Sequence, residues 1–197
     1  MRFLTCVGLA AAVLAAGCGA PSVVTTDATA PTSDTIAAPP PSTTRPSNAH
    51  LANAFDFAVD VAGRTGYYFT SPSGRWECAI IPRTSAGCQN AQSSSLGIDG
   101  APEQVPGPDG EPATPNAIVV DRTGGARFVA LPAPGFATEP GPATELPFNR
   151  ILAVAGFRCN IQEATGISCL SELSLEGFTF STESYTTTYT DVPADAP

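Results

Sequence analysis

Apolar residues recur at every second position in short runs along residues 55–189. Each run is closed by glycine, proline or a small polar cluster. A period of two marks a strand with one face buried. Trp76, Cys78 and Ile80 point one way while Arg75 and Glu77 point the other, and Tyr67-Tyr68-Phe69-Thr70 precedes them across the turn Ser71-Pro72-Ser73-Gly74. Proline presets φ at the second position of that turn, and glycine fills its fourth. Ile118-Val119-Val120 and Arg127-Phe128-Val129-Ala130 flank Asp121-Arg122-Thr123-Gly124-Gly125, which predicts a hairpin. Further strands are expected at residues 151–154, 157–161, 167–170, 177–181 and 185–189. Residues 51–62 fit two periods: Phe55, Phe57, Val59 and Val61 alternate as a strand, whereas Leu51, Phe55, Val59 and Ala62 share a helical face between Asn48 and Gly63. The strand is the preferred reading. Residues 91–115 and 132–147 are rich in proline and glycine and read as long loops. The fold class expected is mainly β, a small disulfide-stapled sandwich or barrel after a disordered tether.

The N-terminus follows a different rule. Arg2 is followed by an apolar run from Leu4 to Ala16, about as long as a signal-peptide core and too short to cross a bilayer. Leu14-Ala15-Ala16-Gly17-Cys18 resembles the lipobox of bacterial lipoproteins. The resemblance implies a signal peptide at 1–17, removed before Cys18, and acyl chains on the Cys18 thiol. An ordinary secretory signal is the alternative. Residues 18–50 are dominated by Pro, Ser, Thr and Ala, too poor in large apolar groups to offset ordering entropy, and form the tether. Their density of Thr, Ser and Pro suits O-glycosylation. A β domain at 51–190 and a tail at 191–197 complete the chain.

Cysteine counting agrees with export. Cys6 leaves with the signal and Cys18 carries lipid, so Cys78, Cys88, Cys159 and Cys169 remain for two disulfides. Both pairs have the form Cys-x9-Cys, with an aromatic two residues before the first cysteine (Trp76, Phe157) and isoleucine two after it (Ile80, Ile161). Closure of each hairpin by its own bridge is favoured, with cross-links between the hairpins as the alternative.

The 197-residue chain has no lysine; its nine basic residues are all arginine, and its net charge is −9, becoming −10 once Arg2 is removed. Such a surface argues against nucleic acid and against electrostatic adhesion to anionic lipid headgroups. Membrane attachment is expected through the acyl chains on Cys18. The absence of lysine excludes Schiff-base and P-loop chemistry, and the single histidine, His50, falls in the tether. No cofactor, structural metal or catalytic residue is expected. Glu77, Glu163, Glu172, Glu176 and Glu183 are candidates for a glycosidase pair. Asp99, Glu103, Asp109 and Glu111 are candidate Ca²⁺ ligands, though without EF-hand spacing. Arg75 and Trp76 are weak binding candidates, because such residues often anchor interfaces; a lone tryptophan beside a bridge more often packs against it.

Phe69-x-Ser71-Pro72-Ser73-Gly74 followed by Cys78 and Cys88 resembles a group of secreted actinobacterial proteins and lipoproteins. The C-terminal half adds Leu146-Pro147-Phe148, Gly156-Phe157-x-Cys159, Thr165-Gly166-Ile167-Ser168-Cys169 and Gly177-Phe178-Thr179-Phe180-Ser181. The likeness covers about residues 66–190, with Arg75-Trp76 in place of the group's usual Asn-Ile. It implies an exported, cysteine-bridged domain and no activity. The function expected is a non-catalytic, lipid-anchored domain on the extracytoplasmic face of the cell membrane, binding an envelope protein or glycan. A carboxylate-based glycan hydrolase and a carrier of apolar ligands are the alternatives.

Overall fold

The computed structural model describes Pro46, residues 48–61 and residues 63–197. The expected signal peptide, Cys18 and most of the expected tether lie outside the described residues. Thirteen strands follow a short 3-10 helix at Ala54–Phe57: β1 Ala58–Val61, β2 Arg64–Thr70, β3 Trp76–Ile81, β4 Ser85–Asn90, β5 Val105–Pro106, β6 Pro112–Ala113 and β7 Ala117–Asp121, then β8 Ala126–Val129, β9 Ile151–Val154, β10 Phe157–Gln162, β11 Gly166–Ser171, β12 Gly177–Phe180 and β13 Tyr185–Thr186. They form a six-stranded sheet, β1-β2-β3-β4-β7-β8, a five-stranded sheet, β13-β12-β11-β10-β9, and the small hairpin β5-β6. All pairings between these strands are antiparallel. The two larger sheets stay separate and pack face to face, so the mainly β fold is a sandwich.

The alternating positions build its core. Phe69, Trp76, Cys78, Ile80, Cys88 and Ile118 from one sheet meet Phe157, Cys159, Ile161, Ile167, Phe178 and Phe180 from the other. Cys78 stands opposite Cys88 and Cys159 opposite Cys169, and each pair is bridged. Their Cα atoms are 4.0 and 4.2 Å apart, near the close spacing of antiparallel partners that lets a bridge span a ladder. Each hairpin therefore closes itself, and both bridges lie in the core.

The outer face of each sheet is also covered. On the six-stranded sheet, Tyr68, Ala79, Ala117 and Val119 are buried beneath Phe136 of the proline-rich loop. This explains why 117–120 is a continuous apolar run: β7 is buried on both faces. Gly87 leaves room there, since a side-chain carbon at that position would meet Val119 and Phe136. Gln89 fastens the loop by accepting from Phe136 N–H at 2.8 Å and donating to Glu77 at 2.9 Å.

On the five-stranded sheet the cover is polar. Arg158, Asn160 and Gln162 point away from the core yet are buried, and every position of β10 is buried. Asn160 donates to the Tyr189 hydroxyl at 3.0 Å and to Thr190 O at 2.9 Å, while Gln162 donates to Asn160 Oδ1 at 3.0 Å. Ser168 and Thr179 join at 2.8 Å, and Thr179 donates to Thr188 O at 2.8 Å. Burial, followed by the Asp191 carboxylate, holds the Tyr189 hydroxyl well above the ordinary tyrosine value.

Several sequence expectations are corrected here. Residues 51–62 are neither one strand nor one helix. Asn53, rather than Asn48, caps the 3-10 helix by accepting from Phe55 N–H, and the chain then extends into β1. Phe57 is buried while Phe55 is 88% exposed, so the apparent alternation does not mark a common face. The chain joins the domain before residue 51: Asn48 accepts from Arg158 at 2.7 Å, and His50 O accepts from Ile151 N–H at 2.9 Å. His50 is thus placed against the domain, with its Nε2 3.3 Å from Ala194 O. The 191–197 stretch is more than a tail, since Val192 is buried. The strand expected at 185–189 ends at Thr186, because residues 187–192 turn across the sheet to cover β10 and β12. The loop at 91–115 contains the β5-β6 hairpin.

Alanine at Cys78 and Cys88 together is expected to lower stability by ~2–3 kcal/mol without abolishing folding, because each bridge closes a short loop. Urea denaturation checks the size, and peptide mapping without reduction checks the pairing. Gly166 has φ 90°, and an added side-chain carbon would run into Phe180 O. Gly166→Ala is therefore expected to cost roughly 2 kcal/mol or more in the same assay. Tyr189 supplies a pH test. The folded chain holds its phenolic proton more tightly than the unfolded chain, so stability should fall as pH rises through about 10. Urea midpoints across the alkaline range should show that decline, and Tyr189→Phe should flatten it.

Candidate functional site: an arginine-lined groove

Strand direction places the turns of the sandwich at two ends. One end carries Ser71-Pro72-Ser73-Gly74, the β10-β11 turn and the β12-β13 turn. A cleft of about 260 Å³ opens there among Pro72, Trp76, Phe148, Glu163, Ile167 and Phe180. Trp76 forms part of its wall but belongs to the core: it is 6% exposed and meets Phe180 edge-on, with ring centroids 4.9 Å apart. Arg75 lies over the indole at 5.2 Å. The Ser71 side chain locks the turn by accepting from Trp76 N–H at 3.1 Å, and Ser71 O accepts from Gly74 N–H at 2.8 Å.

The opposite end carries a larger groove of about 850 Å³. Arg64 at the start of β2, Arg83 in the β3-β4 turn and Arg122 in the β7-β8 turn come from one sheet. Ala155 and Gly156 of the β9-β10 turn, with Glu172 and Leu173 of the β11-β12 loop, come from the other. The strand ends hold this arrangement through backbone hydrogen bonds: Arg122 N–H to Thr84 O at 3.0 Å and Glu172 N–H to Gly156 O at 3.0 Å. Ser171 Oγ also donates to Arg122 O at 2.7 Å, which ties the two sheets together.

The nearby carboxylates have partners other than these three arginines. Asp60 accepts from Thr65, Asp121 pairs with Arg127, and Glu172 pairs with the buried Arg158 at 3.1 Å. Among the described residues, Arg64, Arg83 and Arg122 form no ion pair within 4 Å, and all three are exposed. Guanidinium groups match carboxylate and phosphate oxygens in bidentate geometry, so these three side chains have the chemistry to meet an anion.

The backbone at this end is also unusual. Arg83, Ala155 and Leu175 have φ of 60°, 54° and 60°, three of the five non-glycine residues with positive φ among the described residues. Such conformations cost of order 1 kcal/mol or more, and residues held in them cluster at functional sites.

The sequence candidates fall elsewhere or fail to meet. Among the described residues, Glu172 is the one carboxylate of the arginine groove, and Glu163 is the one carboxylate of the tryptophan cleft. Glu77 holds Gln89, Glu176 lies in the β11-β12 loop, and Glu183 lies in the β12-β13 turn. Among the described residues no group of three or more His, Cys, Asp or Glu is placed to hold a metal ion. In the loop of the expected Ca²⁺ ligands, Asp109 instead accepts from Glu111 N–H, while Gly107 N–H bonds Glu111 O at 2.7 Å. The arginine groove was missed because its members lie far apart in sequence. Its one sequence signal is that arginine recurs beside turn residues: Gly63-Arg64, Pro82-Arg83 and Arg122-Thr123-Gly124.

Among the described residues no helix is long and apolar enough to cross a membrane. Comparison with known proteins finds no matching family model, curated protein or solved structure.

Arg83→Gly should relieve the left-handed strain and raise stability by up to about 1 kcal/mol. Urea midpoints for this variant and for Arg83→Gln, which keeps a side chain at the strained position, separate backbone relief from charge removal.

Proposed function

We propose that this chain is a non-catalytic binding module of the cell envelope, held to the extracytoplasmic face of the membrane by acyl chains on Cys18, with the arginine groove as its recognition surface. The observation that carries the binding reading is the set of three arginines, without ion-pair partners among the described residues, that line one groove on a chain of net charge −9. Keeping cations uncompensated in an acidic protein favours an incoming anion. The lipobox-like ending at Cys18, the Pro/Ser/Thr-rich segment after it and the resemblance to exported actinobacterial proteins support the address.

The groove's functional groups suit recognition better than bond cleavage. Among the described residues, three arginines offer anion contacts, and Glu172, already paired with Arg158, has no second carboxylate beside it in the groove for an acid–base pair.

Detergent phase partition of protein produced in a lipoprotein-processing bacterium tests the anchor. The unsubstituted chain should enter the detergent phase with acylated Cys18 at its N-terminus, while Cys18→Ser should stay in the aqueous phase. Equal partition of the two would overturn the anchor. A photo-crosslinking group at Thr84 tests the recognition surface in cells. It should capture an envelope component, and joint replacement of Arg64, Arg83 and Arg122 by glutamine should abolish that capture.

A further inference from the structure

We infer that the arginine end docks onto the headgroup layer of an anionic phospholipid bilayer, as a second, salt-sensitive contact beside the acyl anchor. This inference rests on the reading that the chain is held at a membrane.

Three observations converge on that occupant. Arg64, Arg83 and Arg122 face the groove without carboxylate partners among the described residues, which suits phosphate oxygens. Leu173 lines the same groove and is 59% exposed, while Leu175 in the same loop is 66% exposed. The left-handed φ of Leu175 places a bulky apolar side chain where glycine would be easiest. A soluble anion gives those leucines nothing to contact, whereas a bilayer offers phosphate outside and hydrocarbon beneath.

The third observation is the point where the chain enters the domain. Pro46 and Asn48 share a small cleft with Arg158, Leu170, Glu172 and Leu175. The segment leading back to Cys18 therefore leaves from beside the leucine loop. Only 28 positions of sequence separate Pro46 from Cys18. An anchor at that distance raises the effective concentration of the headgroup layer at this end, so a weak contact suffices.

The global charge of −9 opposes docking, but screening limits that effect to a Debye length of about 8 Å at physiological ionic strength. Asp121 and Glu172 are neutralised by Arg127 and Arg158, whereas Asp60 keeps its charge while accepting from Thr65. Asp60 and the exposed Glu176 beside Leu175 are like charges that weaken the contact.

The test uses the mature chain from residue 18 with Cys18→Ser, so that no acyl group contributes, and sedimentation with phosphatidylglycerol or phosphatidylcholine vesicles. Binding to phosphatidylglycerol alone is expected, and it should be lost at high salt. Joint replacement of Arg64, Arg83 and Arg122 by glutamine should weaken it about 100-fold, at about fivefold per cation. Leu173→Ser with Leu175→Ser should weaken it about tenfold, and Glu176→Gln should strengthen it. These side chains are exposed, and Arg83→Gln and Leu175→Ser keep a side chain at their left-handed positions, so an unchanged urea midpoint for each variant confirms the fold. Absence of vesicle binding, or binding that survives the triple replacement, would overturn the inference. So would equal affinity for soluble glycerol phosphate with no effect of the leucine replacements, which would make the groove a site for free phosphates. Detergent partition reports acylation separately, so the anchor and the docking surface can fail independently.

Discussion

Strand β10 is buried along its whole length, and the architecture of this domain follows from the demands of its two faces. Phe157, Cys159 and Ile161 need only apolar company, which the facing sheet supplies. Arg158, Asn160 and Gln162 cannot be buried unless their hydrogen-bonding groups find partners, because an unmet polar group costs more than a formed hydrogen bond returns. Partners come from both ends of the domain and from one loop: Asn48 at the entry, Glu172 in the β11-β12 loop, and Tyr189, Thr190 and Asp191 near the end. That one requirement draws both ends of the described domain together, where His50 meets Ala194.

The disulfides work on a different link of the chain of causes. Each closes a hairpin whose strands are already paired, so it restrains the unfolded chain over a short loop rather than joining distant parts of the fold. The tie between the sheets comes from core packing and from contacts such as Trp76 with Phe180. The two hairpins present similar apolar faces to each other, so a modest domain gains a core filled from both sides.

With the ends and the core committed in this way, the arginine end is left to present charge. Its turns are tied down by hydrogen bonds between strands and between sheets, including Ser171 to Arg122. A preorganised rim loses less side-chain and loop freedom when a ligand arrives. The strained residues Arg83, Ala155 and Leu175 sit on this rim, where the neighbouring ladders hold the backbone in place.

Local regularity in the sequence determined the strand hairpins. Alternation at 76–80 and at 157–161 reflects a two-residue repeat, and apolar runs on either side of the turn at 121–125 mark a hairpin; neither signal needs knowledge of distant contacts. The Cys-x9-Cys spacing made bridges within hairpins geometrically natural, although only the register placed each pair opposite. The choice of sandwich over barrel, the polar cover on β10 and the mixed course of 51–61 were decided by tertiary structure. Asn160 looks like a solvent-facing residue until residues 187–192 cross over it, and Phe55 looks like a core residue until the 3-10 turn rotates it outward. The groove is the extreme case. Residues 64, 83 and 122 lie on three different turns, and what brings them together is strand order, which no short window of sequence encodes.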